Sequence, residues 1–257
     1  AYAAMQTALE FDNTLPEAHL SLAAFLLVNH RDWAAAEREI ARVLEASPRF
    51  AEIHYVRSFY MTMFGRHDEA IAEARLALDC DPLSSTYAQA LGLAYFYARR
   101  YDEAVELFAA AQELEPNNVK ATEHLGDAYE RAGVALEAIA AWRRAATLAD
   151  DDEVADILGR HNAADGFDAA VRAVATVRLE RLERKARQGE YVPAMSFARL
   201  YVRLGEREQA FRWLERAAVE RNAFALLLDV DPLYDDLRGD VRFADVTRSV
   251  GLSPARA

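Results

Sequence analysis

The strongest constraint on the fold of this chain is an internal repeat, marked by prolines at a regular interval. The interval from Pro48 to Pro82 recurs unchanged from Pro82 to Pro116, and the interval from Pro16 to Pro48 is slightly shorter. Each proline follows a stretch with helical periodicity. Because proline cannot continue a helix and restricts the residue before it, these prolines predict helix ends at a regular interval. A period of about 34 residues is typical of a solenoid built from short helical units.

The repeats also share small residues where two helices would cross. When residues 51–84, 85–118 and 119–152 are aligned, alanine recurs at two positions seven residues apart: Ala70, Ala104 and Ala138, then Ala77, Ala111 and Ala145. Further shared features are Leu-Gly pairs with a following tyrosine, and glycines between the helices: Leu91-Gly92, Leu125-Gly126, Tyr95, Tyr129, Gly65 and Gly133. Antiparallel helices approach closely only where small residues occupy the crossing points and larger side chains fill the adjacent grooves. Each unit is therefore predicted to be a helix pair.

The pattern resembles the tetratricopeptide repeat, which has a Trp, a Leu-Gly and a Tyr on its first helix, Ala, Phe and Ala on its second, and a closing Pro. This resemblance implies an all-α, right-handed superhelical solenoid of antiparallel helix pairs with a C-terminal capping segment. It implies this organisation: a second helix of a truncated repeat over 1–14, a regular array over 15–150, an irregular helical repeat over 151–190, a further repeat over 191–222, and a cap over 223–257.

Three segments narrow the resemblance. Residues 31–39 (RDWAAAERE), 205–217 (GEREQAFRWLERA) and 231–243 (DPLYDDLRGDVRF) are similar to the C-terminal repeat regions of bacterial winged-helix transcriptional regulators, adenylate-cyclase-like proteins and Ser/Thr protein kinases. Those regions usually have Pro where Val241 stands. The similarity implies a non-catalytic protein-interaction module that regulates or recruits for a larger bacterial signalling or transcription-regulatory protein.

The composition excludes several classes of partner. The chain of 257 residues has 53% hydrophobic residues and a formal net charge of −12, so its average field repels the phosphates of a nucleic acid. No apolar run approaches the roughly 20 residues that cross a bilayer. The single cysteine, Cys80, excludes an intrachain disulfide. Because the chain begins at Ala1 inside a helical pattern and shows no secretion signal, we expect a piece of a longer cytoplasmic protein.

The motifs of common catalytic sites are missing from the sequence. It has no phosphate-binding Gly-rich loop, no Gly-x-Ser-x-Gly and no His-Glu-x-x-His. The six histidines are scattered, and the acidic residues 150–153 lack the alternating spacing of a calcium loop and resemble a helix start instead. We therefore expect no enzyme activity, no cofactor and no metal site.

The concave side of the solenoid is the predicted binding surface, because the first helices of the pairs line it. The positions at which well-known relatives hold a C-terminal carboxylate with Lys, Arg and Asn are apolar, aromatic or acidic in this chain. They suit a protein or peptide with an apolar segment. The predicted groove residues are Tyr55, Phe59, Met63, Gln89, Leu93, Phe96, Tyr97, Glu123, Asp127, Glu130 and Arg131.

Several alternatives remain open from the residues alone. The aromatic rings can instead pack between adjacent helices, and the groove can be filled internally, by the long helix predicted at 167–188 or by an upstream domain. A ligand- or peptide-sensing domain that controls an attached DNA-binding, cyclase or kinase domain is the second functional hypothesis. A compact apolar pocket closed by residues 151–190 would favour it, whereas an open groove would favour the scaffold. Pairing of two chains through the repeat ends is a third hypothesis.

Overall fold

The computed structural model describes residues 2–160 and 166–252, and within those ranges all regular secondary structure is helical. The prediction of an all-α solenoid is confirmed. The α-helices are α1 (Tyr2–Phe11), α2 (Pro16–Phe25), α3 (Trp33–Ala46), α4 (Ala51–Met63), α5 (His67–Cys80), α6 (Ser85–Tyr97), α7 (Tyr101–Leu114), α8 (Val119–Arg131), α9 (Ala135–Leu148), α10 (Asp152–Arg160), α11 (Phe167–Arg187), α12 (Ala194–Leu204), α13 (Arg207–Val219) and α14 (Val241–Val250).

The helix pairs follow the proline period. The second helices α3, α5, α7 and α9 begin at equal intervals along the chain, at Trp33, His67, Tyr101 and Ala135. The helices α3, α5 and α7 each end two residues before a proline. Proline lacks the backbone N–H that would continue the helix, and its ring clashes with the preceding helical turn. Helices α6 and α8 begin behind polar residues, and the side chains of Ser84 and Asn118 each accept a hydrogen bond from a backbone N–H of the first turn.

Glycine is required where the two helices of a pair cross. A Cβ atom at Gly92 would lie 2.7 Å from Cε1 of Phe108, and one at Gly126 would lie 2.4 Å from Cδ1 of Trp142. Real Cβ atoms do not approach other heavy atoms this closely. The first helix therefore has glycine where the second helix has its largest ring, which is the reason for the Leu-Gly pairs in the sequence.

The turn between the two helices of a pair has one recurring backbone conformation. Arg31, Gly65, Arg99 and Gly133 occupy the same position of successive repeats, and all four have positive φ, from 55° at Arg31 to 79° at Gly133. Only glycine adopts this left-handed conformation without strain. Two repeats nevertheless use arginine here, which indicates that the arginine side chains make compensating contacts.

The C-terminal segment folds back onto the N-terminal repeats. It consists of two 3₁₀ helices, Ala223–Leu227 and Pro232–Leu237, followed by α14. Nη1 of Arg31 donates to the backbone oxygen of Val250 at 2.6 Å, and Nη1 of Arg99 donates to that of Val230 at 2.7 Å. Buried apolar residues of this segment and of the first three repeats belong to one continuous hydrophobic core. The curved array is thus closed by its own C-terminal segment.

The first and fifth units depart from the regular pattern. α2 continues directly as a π-helical segment, Leu26–His30, which accommodates an extra residue before the turn at Arg31. The predicted irregular repeat over 151–190 contains α10 and the long helix α11, which packs against α10 and α12. In the described part of the chain, no helix combines the length and apolar character needed to cross a membrane.

Candidate binding cavity

The main concave feature is a cavity of about 400 Å³ inside the closed array. Most of its lining comes from α6, α8, α11, α12 and the stretch 222–233 that begins the C-terminal segment, and α7, α9 and α10 contribute Phe108, Trp142 and Leu158. A volume of this order is typical of sites that hold a small molecule or a few residues of a peptide. The cavity therefore offers a compact binding site rather than a long open groove.

Seven of the eleven predicted groove residues line this cavity. They come from α6 and α8: Leu93, Phe96, Tyr97, Glu123, Asp127, Glu130 and Arg131. The remaining four do not line it. Met63 is buried in the core with 1% exposure, and Phe59 is half-buried against the same core. Tyr55 is 41% exposed with its ring 6.2 Å from that of Tyr87, and Gln89 donates to the backbone oxygen of Ser85 at 3.3 Å.

The acidic residues of α8 form one wall of the cavity. Glu123, Asp127 and Glu130 lie four and three residues apart, so helical geometry places them on one face. Glu130 accepts two hydrogen bonds from Arg203, at 2.7 and 3.0 Å, and Asp127 accepts one from Nε1 of Trp142 at 3.1 Å. These two carboxylates are consequently partnered from within the protein.

The opposite wall contains basic residues that the sequence analysis missed. Arg199 and Arg203, one helical turn apart on α12, both line the cavity, and Arg178 of α11 joins them. Extending the repeat alignment would have indicated the first two. If Ala198 is matched to Gly126, Arg199 takes the position of Asp127, and Arg203 takes that of Arg131. No periodicity in the sequence indicates Arg178, because α11 does not follow the repeat.

Asp231 connects α12 to the C-terminal segment at the cavity. It is 6% exposed, and its Oδ2 accepts a hydrogen bond from Nη1 of Arg199 at 3.2 Å. Its Oδ1 accepts one from the backbone N–H of Leu233 at 2.9 Å, which caps the second 3₁₀ helix. Asp231 is therefore buried and fully engaged, although it lies in a stretch of sequence rich in aspartate.

Burial keeps several polar groups around the cavity uncharged. Burial raises the pKa of Tyr97, and the nearby carboxylate of Asp231 adds to the effect. Burial also raises the pKa of Tyr234 and lowers the pKa of His124. At neutral pH the two tyrosines therefore keep their hydroxyl protons and the imidazole of His124 is neutral. The formal charge at the cavity comes from arginine, lysine and carboxylate groups.

Histidine, cysteine and carboxylate side chains are the groups that could hold a metal ion. Across residues 2–160 and 166–252, no group of three His, Cys, Asp or Glu side chains is arranged to hold a metal ion. His19 and His54 occupy the same slot of successive repeats and are hydrogen-bonded to Glu39 and Glu73. His161 lies outside the described residues.

Comparison with known proteins identifies the family. The model of the tetratricopeptide repeat family matches residues 16–85 and 90–153, which is more than half of the chain. The chain belongs to the tetratricopeptide repeat family. Members of this family and fold are generally non-catalytic scaffolds that bind other proteins.

Curated relatives match only over the repeats. Small glutamine-rich tetratricopeptide repeat-containing protein 2 of Mycosarcoma maydis is 32% identical over 88 residues, which cover 34% of this chain and 25% of that protein. Protein SGT1 homolog of Bos taurus is 30% identical over 84 residues, 33% of this chain and 25% of that protein. The chain therefore spans about a quarter of the length of these relatives.

Solved structures share the fold over most of the chain. PilW, a type IV pilus biogenesis factor, superposes with a TM-score of 0.55 at 15% identity and covers 89% of this chain and 88% of its own. YrrB, described as a tetratricopeptide repeat protein with an unusual peptide-binding site, has a TM-score of 0.50 at 16% identity, with coverage of 88% and 96%. At such identities the likeness concerns the fold alone.

Proposed function

We propose that this chain is a non-catalytic interaction module that holds a short segment of a partner protein in the closed cavity. It would act as the regulatory or recruitment part of a larger bacterial signalling or transcription-regulatory protein. One observation carries the proposal: residues that the repeat predicts to face the groove meet residues of α11, α12 and the C-terminal segment around a single cavity of about 400 Å³.

The shape of the cavity limits the partner to a short segment. Part of the cavity wall on the concave side is formed by Phe224 and Leu227 of the first 3₁₀ helix and by Leu233 of the second. A long amphipathic helix along the whole groove would have to displace these residues, whereas a few residues of a peptide would fit without backbone change. Large apolar side chains of that segment would contact Leu93, Phe96 and Leu200.

A crosslinking experiment tests where the partner binds. Phe224 lines the cavity and is 66% exposed, so a photoreactive phenylalanine analogue placed there leaves the core intact. Leu83 is 79% exposed in the loop after α5 and does not line the cavity, and it provides the control position. We expect one protein from the source organism to crosslink at position 224, and the Phe224→Asp variant to lose its capture while Leu83→Asp retains it. Crosslinking at position 83 alone, or equal capture by both aspartate variants, would contradict the proposal.

A sensing domain is the second candidate, and the part that α11 takes in the cavity wall supports it. Helix α11 belongs to the irregular segment 151–190, and its residues Val171, Val174 and Arg178 form part of the cavity wall. In this alternative, the occupant changes how an attached DNA-binding, cyclase or kinase domain behaves. Native mass spectrometry of the protein purified from its source tests it, because a co-purifying small molecule would show as a defined added mass.

The segment boundaries and the oligomeric state belong to the same proposal. We propose the division into 1–14, 15–150, 151–190, 191–222 and 223–257, with homodimerisation through the repeat ends as a further property. The partner would be a protein in the cytoplasm, with neither nucleic acid nor membrane contacting this segment. Light scattering over a range of protein concentrations tests the dimer, and limited proteolysis tests the boundaries.

A further inference from the structure

The cavity collects positive charge in a chain that is strongly acidic overall. The protein has a net charge of −12, yet five basic and four acidic side chains line the cavity: Lys120, Arg131, Arg178, Arg199 and Arg203 against Glu123, Asp127, Glu130 and Asp231. A low-dielectric, concave site strengthens the effect of each charge on a ligand. The balance at the cavity therefore favours a negatively charged group.

The four carboxylates of the cavity already have partners. Glu130 is held by Arg203 and Asp127 by Trp142, as described above. Glu123 accepts a hydrogen bond from Nζ of Lys120 at 2.9 Å. Asp231 accepts bonds from the backbone of Leu233 and from Arg199. Each of these carboxylates is therefore already paired with a donor from within the protein.

Arg199, by contrast, has hydrogen-bonding capacity to spare. A guanidinium carries five N–H groups, and among the described residues Arg199 uses one of them, from Nη1 to Asp231. The side chain of Arg199 is 42% exposed, and it lines the cavity. Arg203 makes a bidentate pair with Glu130, whereas Arg178 and Arg131 lie 3.9 Å from a carboxylate oxygen and also keep N–H groups without a hydrogen bond among the described residues. Arg199 differs from these two because its bond to buried Asp231 holds the guanidinium in place at the cavity, so we take it as the donor for an incoming oxyanion.

Two buried polar atoms near Arg199 also lack partners. The hydroxyl of Tyr234, a residue with 0% exposure, has no hydrogen-bond partner in the described structure, and the same holds for Nδ1 of His124, which lines the cavity. The charge of Arg199 acts on both groups. Buried polar groups in folded proteins are nearly always satisfied, so the unpartnered Nδ1 of His124 at the cavity indicates an additional polar occupant.

We propose that the cavity binds an amphipathic anion, with an oxyanion held by the free N–H groups of Arg199 and an apolar part packed against Leu93, Leu200 and Leu233. This inference rests on the proposed function, in which the anion is an acidic group beside a large apolar side chain in the partner segment. Arg199 belongs to the last repeat and is tied to the C-terminal segment. The site therefore differs from a basic clamp on the first helices of the N-terminal repeats, whose positions here are apolar or acidic.

The first test uses two dyes of similar shape. The probe 1-anilinonaphthalene-8-sulfonate carries an apolar body with an oxyanion, and N-phenyl-1-naphthylamine carries the same body without charge. We expect saturable binding of the sulfonate, an affinity lowered about tenfold or more by Arg199→Gln, and binding of the neutral dye unchanged by it. Arg248→Gln is the matched control, because Arg248 pairs with Asp245 on α14 and does not line the cavity.

The outcomes of the dye test separate a charge effect from unfolding. Thermal melts of each variant, followed by circular dichroism, show whether the fold persists. If Arg199→Gln leaves the affinity for the sulfonate unchanged, or lowers the affinity for both dyes equally, the oxyanion site is wrong. Capture of a protein at position 224 would still stand in that case, so failure of the anion site and failure of the proposed function are distinguishable.

A displayed library of random heptapeptides then distinguishes the source of the oxyanion. One format has a free peptide C-terminus, and the other fuses both ends of the peptide. Enrichment of Asp or Glu next to large apolar residues in both formats identifies an acidic side chain, whereas dependence on the free end identifies a terminal carboxylate. Either pattern must be lost with Arg199→Gln. Selection of peptides without an acidic or terminal carboxylate requirement would overturn the proposal.

Discussion

Arg31 and Arg99 occupy the same turn position two repeats apart, and each donates a hydrogen bond to a backbone oxygen of the C-terminal segment. Their φ angles are 55° and 63°, in the left-handed region that arginine adopts only with strain. Their acceptors, Val250 and Val230, lie 219 and 131 residues further along the chain. The contacts thus connect the first and third regular turns to the segment that closes the array, and they compensate the backbone strain.

Two substitutions at Arg99 should separate the cost of its left-handed backbone from the contribution of its hydrogen bonds to the C-terminal segment. Arg99→Ala removes the bonds to Val230 and to Asp235, at 2.7 and 2.8 Å, and should lower the free energy of unfolding by about 1–3 kcal/mol. Arg99→Gly removes the same bonds but relieves the left-handed strain, so it should be about 1 kcal/mol more stable than the alanine variant. Urea denaturation measures both. Arg100→Ala, which removes an exposed pair with Glu103 and a cation–π contact with Tyr95, should have a smaller effect, and an equal loss would show that the closure contact is unimportant.

Gly126→Ala should destabilise the fourth repeat through a clash. The new Cβ would lie 2.4 Å from Trp142, so the ring must move, at a cost of about 1–3 kcal/mol in the free energy of unfolding. A Cβ at Gly239 would meet no described atom within 4 Å, and Gly239→Ala is the control. In a double-mutant cycle, Trp142→Leu should remove most of the penalty of Gly126→Ala. Additive effects would mean that the ring and the glycine are not coupled.

His54→Ala should weaken the second regular repeat. Its Nδ1 lies 2.7 Å from Oε2 of Glu73 and its Nε2 lies 3.0 Å from the backbone oxygen of Pro48, and both side chains are nearly buried. Removing the imidazole deletes both contacts, and Glu73 keeps only its pair with Arg57 at 2.8 Å, so the free energy of unfolding should fall by about 1–3 kcal/mol. His19→Ala should behave alike, because His19 repeats the arrangement with Glu39 and Asn13. His67→Ala is the comparison, since Nδ1 of His67 has no partner within the described residues, and a similar loss there would argue against the hydrogen bonds.

The buried imidazole of His124 should make stability depend on pH. Burial lowers its pKa in the folded protein, although Asp127 and Glu123 oppose the shift while Lys120 and Arg199 reinforce it. The unfolded chain then binds the proton more readily, so the free energy of unfolding should fall as the pH drops below the ordinary histidine value of about 6.5.

Urea denaturation at pH 7.5 and pH 5.5 measures this dependence. In His124→Gln, whose side chain does not titrate, the difference in stability between the two pH values should be smaller than in the wild type. Carboxylates such as Asp151, whose pKa is lowered by Arg181, contribute only at more acidic pH and do not interfere. A variant with the same pH dependence as the wild type would exclude His124 as its source.

Much of the local architecture follows from the sequence. The proline period places the helix ends, and the alanine and glycine positions place the crossings, because these features depend on residues within a single unit. The pairing of Gly92 with Phe108 is of this kind: both belong to one repeat, and the size of one determines the size of the other. The same reasoning predicted groove residues on α6 and α8, of which Leu93 and Asp127 are two that line the cavity.

What covers the concave side depends on the tertiary structure. The rotation from one repeat to the next accumulates along the array, so the return of Val230 to Arg99 has no signature in the pattern of a single repeat. For this reason Met63 lies in the core, whereas Tyr97 at the equivalent position of the next repeat lines the cavity. The convergence of Arg199 and Asp231 has the same origin, because local periodicity determines only the direction in which a side chain points, and the curvature of the whole array determines which residue it meets.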